Sequence, residues 1–153
     1  MRFPRQVGWR LEMIREIEIV LMKTNVKATA IMLDRETPKT CEAVWNTLPA
    51  ERNAGHASWS GECLTISKFG LPSNALKLEN ETIYVGPGEI ALYPQVDEVL
   101  LFYGRGEPRF RTGPLRVNVF ARILGDLEQV AEACRQVKTE APQKIRFEKK
   151  KPT

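Results

Sequence analysis

Apolar and polar residues alternate along most of this chain, and alternation with a period of two marks strands with one buried face. From Ile14 to Met22, Ile17, Ile19 and Leu21 alternate with Glu16, Glu18 and Val20. Thr24-Asn25 offers a short turn, and Val26 to Leu33 follows with Val26, Ala28, Ala30 and Met32 on one side, which predicts a hairpin. Further strands are predicted over Ala57–Ser67 (one or two, with Gly61 as a bulge), Thr82–Val85, Glu89–Tyr93, Val99–Tyr103, Val117–Leu124 and Lys144–Phe147. Gly86-Pro87-Gly88 reads as a turn, and Gly70–Asn80 and Gly104–Pro114 read as loops.

The period changes to 3.6 in two places. After Thr37-Pro38, which suits a helix start, Cys41, Val44, Trp45 and Leu48 form one stripe that Pro49 ends. Asp126, with Gln129 as its capping-box partner, opens a second stripe of Leu127, Val130, Ala131, Cys134 and Val137. The expected fold is all-β with two short helices: about eight mainly antiparallel strands, closed as a barrel or stacked as a sandwich, with a helix at a barrel mouth.

With 153 residues, 42% hydrophobic and 27% charged, the chain fits one globular domain. We divide it into a basic arm over 1–13, a barrel domain over 14–147 and a basic tail over 148–153. The formal charge of +4 does not make a nucleic-acid surface. Arg2, Arg5, Arg10, Lys149, Lys150 and Lys151 lie at the ends; without them 17 basic residues face 18 of the 19 acids, so the body is near neutral. No apolar run is long enough to span a bilayer, and no signal-peptide core follows the first arginines, so a cytoplasmic location is expected, with neither nucleic acid nor membrane as partner. Cys41, Cys63 and Cys134 are too few and too scattered for a disulfide framework. One histidine with dispersed carboxylates gives no metal-ligand set, so no metal or cofactor is expected.

The sole histidine begins the run His56-Ala57-Ser58-Trp59-Ser60-Gly61-Glu62. If the run is extended, His56, Ser58, Ser60 and Glu62 share one face, with Ala57, Trp59 and Cys63 on the other. That polar face is either a solvated surface or the wall of a pocket. Imidazole suits acid/base chemistry near neutral pH, which makes His56 the candidate catalytic residue. Glu62 would lie about 20 Å away along a flat strand, too far to orient His56 unless the chain bends at Gly61.

A second set, Asn118, Phe120 and Arg122, alternates on the Val117–Leu124 strand, with Val119, Ala121 and Ile123 opposite as core. Asn and Arg at an inner barrel mouth could fix a carboxylate or amide. Tyr93 and Tyr103 could present a hydroxyl at a strand end. A third set, Arg105, Arg109 and Arg111 with Phe110, could form an anion-binding lid or a merely solvated loop. Trp45 and Trp59 read as core anchors.

Several of these segments also resemble small cyclophilin-like proteins. Thr37 to Pro49 has their threonine-rich helix start, mid-helix tryptophan and Leu-Pro end. A bacterial branch of unknown function is similar at four further points: His56 to Glu62, Pro87-Gly88-Glu89, Phe102-Tyr103-Gly104, and Gly113 to Ala121. The resemblance runs from about Ile14 to Phe147 and implies a closed cyclophilin-like β-barrel. It does not imply prolyl isomerase activity, because the arginine and aromatic motifs of those enzymes are not found, and fold alone does not license function.

The expected function is binding of a small polar metabolite at one barrel mouth through Ser58, Ser60, Glu62, Tyr103, Asn118, Phe120 and Arg122, with an isomerase or hydrolase reaction at His56 left open. The alternatives are a prolyl isomerase-like activity, and a non-catalytic interaction module or subunit, including a homo-oligomer.

Overall fold

A computed structural model of the chain describes residues 4–7 and 10–151, with side chains from residue 14 onward. The strands are β1 (Pro4–Val7), β2 (Arg10–Met13), β3 (Glu16–Leu21), β4 (Val26–Met32), β5 (Ala50–His56), β6 (Gly61–Ile66), β7 (Glu81–Thr82), β8 (Glu89–Tyr93), β9 (Glu98–Gly106), β10 (Arg109–Phe110), β11 (Gly113–Pro114), β12 (Val117–Ile123) and β13 (Gln143–Lys149). The helices are α1 (Pro38–Thr47) and α2 (Glu128–Glu140). Eight strands run antiparallel in the order β4-β3-β13-β5-β6-β9-β8-β12, and β12 pairs with β4 to close the barrel. β7 adds to the edge of β12, and β1–β2 and β10–β11 are separate two-stranded pairs.

The inner face carries Ile17 and Ile19 of β3, Leu64 and Ile66 of β6, and Ile145 and Phe147 of β13, among others. α1 follows β4 and leads into β5, so it caps the end where Met32, Ala50 and Asn118 lie; α2 follows β12 and leads into β13, and caps the other end. Cys41 and Val44 of α1 and Cys134 and Val137 of α2 all join the same core. A second apolar cluster lies outside the barrel wall, where Cys63, Ala91, Leu100, Phe102, Val117 and Val119 are covered by Leu33, Ala57 and Val85. A sheet buried on both faces explains the unbroken Val99–Tyr103 apolar run.

Several sequence expectations are corrected. β5 falls in a stretch with no apolar pattern. Only Ala50 and Ala54 supply its buried positions, while Arg52 donates to the Phe69 carbonyl at 2.9 and 2.7 Å. The expected loop over Gly104–Pro114 instead contains the end of β9 and the β10–β11 hairpin. Thr37 does not cap α1. Glu79, from a distant loop, accepts from the Lys39 and Thr40 backbone N–H groups and from the Thr37 hydroxyl. Arg2 and the side chains of Arg5 and Arg10 lie outside the described residues. At the other end, the Lys149 ammonium sits 5.1 Å over the Trp45 ring, and Lys150 donates to Thr29 Oγ1 at 2.7 Å.

The largest correction is in β12. A bulge between Val119 and Ala121 turns both Phe120 and Ala121 inward. Alternation is broken, so Asn118, Phe120 and Arg122 do not share a face: the first two are buried and Arg122 is exposed. Asn118 Nδ2 donates to the Thr37 and Thr40 hydroxyls, each at 2.8 Å, and its Oδ1 accepts from the Asn80 backbone N–H at 2.7 Å. Arg122 reaches Glu89 at 3.1 Å on the outside.

These placements predict different costs. Asn118→Ala strands buried hydroxyls and an N–H, and should cost about 2–4 kcal/mol in denaturant unfolding. Arg122→Ala removes an exposed ion pair and should change stability by less than about 1 kcal/mol. Equal losses would contradict this assignment.

Candidate functional site

The His56–Glu62 run is not one strand. β5 ends at His56, Ser58–Ser60 form a single 3-10 turn, and β6 begins at Gly61. Gly61 has φ +99°, and a Cβ there would lie 2.6 Å from the Arg105 carbonyl oxygen, so only glycine lets the turn pass this close to β9. The expected common face for His56, Ser58, Ser60 and Glu62 is therefore absent, and the four residues are divided between two places.

The first is the rim of the barrel under α2. His56 Nε2 lies 2.6 Å from the Tyr103 hydroxyl, and Nδ1 lies 2.9 Å from the Ser58 hydroxyl. Burial and the Lys138 ammonium hold the imidazole below its ordinary pKa of 6.5, against the opposing pull of Glu62. Burial, with Glu62 nearby, pushes the Tyr103 phenol up to about 12. Both groups are therefore neutral near pH 7. A neutral imidazole carries one N–H. The phenol is the stronger acid of the two hydroxyls, so it donates to Nε2 and leaves Nδ1–H to donate to Ser58. In that tautomer the ring does not withdraw the Ser58 proton, so the pair suits proton transfer through Tyr103 and His56 better than nucleophilic attack by Ser58. Glu62 lies against Gly104 and pairs with Arg135 of α2 at 3.7 Å, without a hydrogen bond to His56.

The second place is a cleft on the outer wall, on the other side of the turn. Ser60 is buried there: its Oγ accepts from the Arg109 N–H at 3.0 Å and donates to the Arg109 carbonyl at 3.3 Å. This tie holds the β10–β11 hairpin against the turn. Between them is an inner recess of about 240 Å³ lined by Ala57, Trp59, Tyr93, Leu100, Phe110 and Leu115, with Ser60, Val96, Glu98, Arg109 and Thr112. A second recess of about 450 Å³, the outer one, is lined by the same Trp59, Arg109 and Phe110 together with Arg111. Trp59 is 59% exposed and Phe110 57%, so Trp59 is not the core anchor its alternation suggested.

The structure thus brings His56, Ser58 and Tyr103 together, with Glu62 beside them. Ser60 serves the cleft, Asn118 and Phe120 lie in the interior toward the α1 end, and Arg122 stands outside. Sequence reasoning missed Trp59 as a cleft residue and gave Tyr93 only as a strand-end hydroxyl. The available signal for Trp59 was local: a tryptophan between two serines is not an ordinary core setting. Among the described residues, no group of three His, Cys, Asp or Glu side chains could hold a metal ion, and no helix is long and apolar enough to cross a membrane.

Among solved structures, the chain is similar to McbB in complex with tryptophan, with a TM-score of 0.76 and 20% identity over 90% of this chain and 45% of McbB. The chain thus spans less than half of that protein. It is also similar to the hypothetical protein AF2241 from Archaeoglobus fulgidus, with a TM-score of 0.64 and 18% identity over 90% of this chain and 95% of that one. At these identities the likeness is one of fold. No curated protein matches the chain significantly. A family profile described as a protein of unknown function (DUF3830) matches residues 19–149.

The rim cluster predicts a pH response. Because the folded pKa of His56 lies below 6.5, the unfolded chain takes up the proton first as pH falls. The His56 contribution to stability is complete above pH 6.5 and is lost as pH drops from there through the folded pKa. An NMR titration of this single histidine should give a midpoint below 6.5, raised by Lys138→Gln and lowered further by Glu62→Gln. A midpoint above 6.5 would overturn the account.

Proposed function

The chain belongs to the DUF3830 family, whose function is unknown, and from that premise we propose that it binds a small organic molecule in the wall cleft between the 58–60 turn and the β10–β11 hairpin. One observation carries this reading. Trp59, Phe110 and Val96, each more than half exposed, line the same recess, so three of the five exposed large apolar side chains described converge there, Tyr84 and Leu124 lying elsewhere. Exposed aromatics around a concave site with a few polar groups suit a ligand pocket. The barrel mouth expected from sequence is a poorer site, because each end of the barrel is capped by a helix whose side chains join the core. McbB, which shares this fold, was solved with tryptophan, itself a small organic molecule. If a reaction accompanies binding, the Tyr103–His56 pair across the turn is the available proton-transfer group, in line with isomerase rather than serine-hydrolase chemistry.

A second reading is favoured by one feature of the same cleft. Arg109 stands with Trp59, Tyr93 and Phe110 around it, the residue types that prolyl isomerases of the cyclophilin fold use around a proline, here brought together without those enzymes' sequence motifs. A protease-coupled assay on proline peptides decides it, and a rate equal to the uncatalysed one ends that reading.

The binding claim is tested by thermal shift across metabolite classes at near-millimolar concentration. A bound ligand should raise the melting temperature by mass action. Phe110→Ala, at an exposed position, should abolish the shift and leave the unliganded melting temperature within about 2 °C. No shift with any class would refute the proposal.

A further inference from the structure

We propose that the ligand of the wall cleft is a flat aromatic carboxylate, its ring held between Trp59 and Phe110 and its acid group met by Arg111 and Arg109. This rests on the reading of the cleft as a small-molecule site and adds the chemical class.

The size and lining of the two recesses set the shape. The inner space, about 240 Å³, is floored by Ala57, Leu100 and Leu115, and has room for a one- or two-ring body. Trp59, Arg109 and Phe110 line both inner and outer spaces, so a body in either one lies against the same two aromatic side chains. Offset or edge contacts with aromatic rings favour an aromatic body over an aliphatic one of equal volume. Ser60 fixes the backbone of Arg109 at two points, which ties the chain next to Phe110 before any ligand arrives.

The charges set the end group. The carboxylate lining the inner recess, Glu98, is engaged by the Ser67 hydroxyl at 3.2 Å. The outer recess is lined by two arginines and no carboxylate. Arg109 is already paired with Glu107 at 2.8 Å, whereas Arg111 has no carboxylate partner among the described residues. An unpaired guanidinium lining the same recess as the two aromatic rings offers planar, bidentate donors to a ring-borne acid.

Isothermal titration of the full chain at low salt, with 3-indolepropionate and its primary amide as probes, tests the assignment. The acid should bind at least about tenfold more tightly than the amide, as expected for a hydrogen bond to a charged group. Arg111→Ala should bring the acid to the amide's level, and Phe110→Ala should weaken both by the same factor, each variant melting as the parent does. Raising ionic strength to about 1 M should close the gap between acid and amide. Equal binding of acid and amide to the parent chain would overturn the carboxylate and leave the cleft reading standing. Binding of neither probe, with other metabolites still shifting the melting temperature in a Phe110-dependent way, would overturn the aromatic-acid class alone. Binding of nothing at all, with light scattering showing a dimer that Phe110→Ala dissolves, would overturn both readings and assign the cleft to a second copy of the chain.

Discussion

Closure of the sheet through the β12–β4 pairing governs the rest of this structure. Once eight strands close on themselves, their inner faces must be filled, and here Ile, Leu, Phe, Met and Ala side chains fill them. The two ends must also be covered, and each helix presents its apolar stripe to one of them. The bulge at Phe120 belongs to the same constraint. It turns two consecutive residues of β12 inward where that strand pairs with both β8 and β4. The interior is therefore filled by packed side chains, and the cleft proposed for a ligand lies outside it.

Both candidate sites adjoin one short turn at the edge of that closed wall. The chain leaves the α2 end of the barrel at His56 and re-enters at Gly61, and the intervening Ser58–Ser60 turn has two sides. One side meets Tyr103 and α2 at the rim. The other meets the β10–β11 hairpin over the second apolar cluster. Glycine is required twice at this crossing: Gly61 for its positive φ, and Gly106 because a Cβ there would lie 2.4 Å from the Ser60 carbonyl oxygen. A shift of this turn would move the imidazole and the tryptophan together, so the rim cluster and the cleft share one mechanical element.

Much of the architecture was legible in the sequence because strand and helix periods are local signals. The hairpin turn at Thr24-Asn25, the stripes of α1 and α2, and most strands lie where alternation and turn residues place them. β5 was not legible, because a strand whose buried positions are two alanines carries no hydrophobic period. The cap of α1 was misassigned to Thr37 because Glu79, which supplies it, is 42 residues away. The Asn118–Phe120–Arg122 set failed for a different reason. Strict alternation assigned all three to one face, and a single bulged residue cancelled it.

The sequence by itself determined an all-β chain with two helices and singled out the run containing the sole histidine. It did so because burial of one face imposes a period that can be read residue by residue. The tertiary structure alone decided that this run breaks into a turn, that His56 meets Tyr103, 47 residues away, and that Trp59 stands beside Phe110 in a cleft instead of entering the core. Those outcomes depend on which strands become neighbours when the barrel closes and on how a glycine bends the chain past β9. Neither is encoded in the spacing of residues within a single strand.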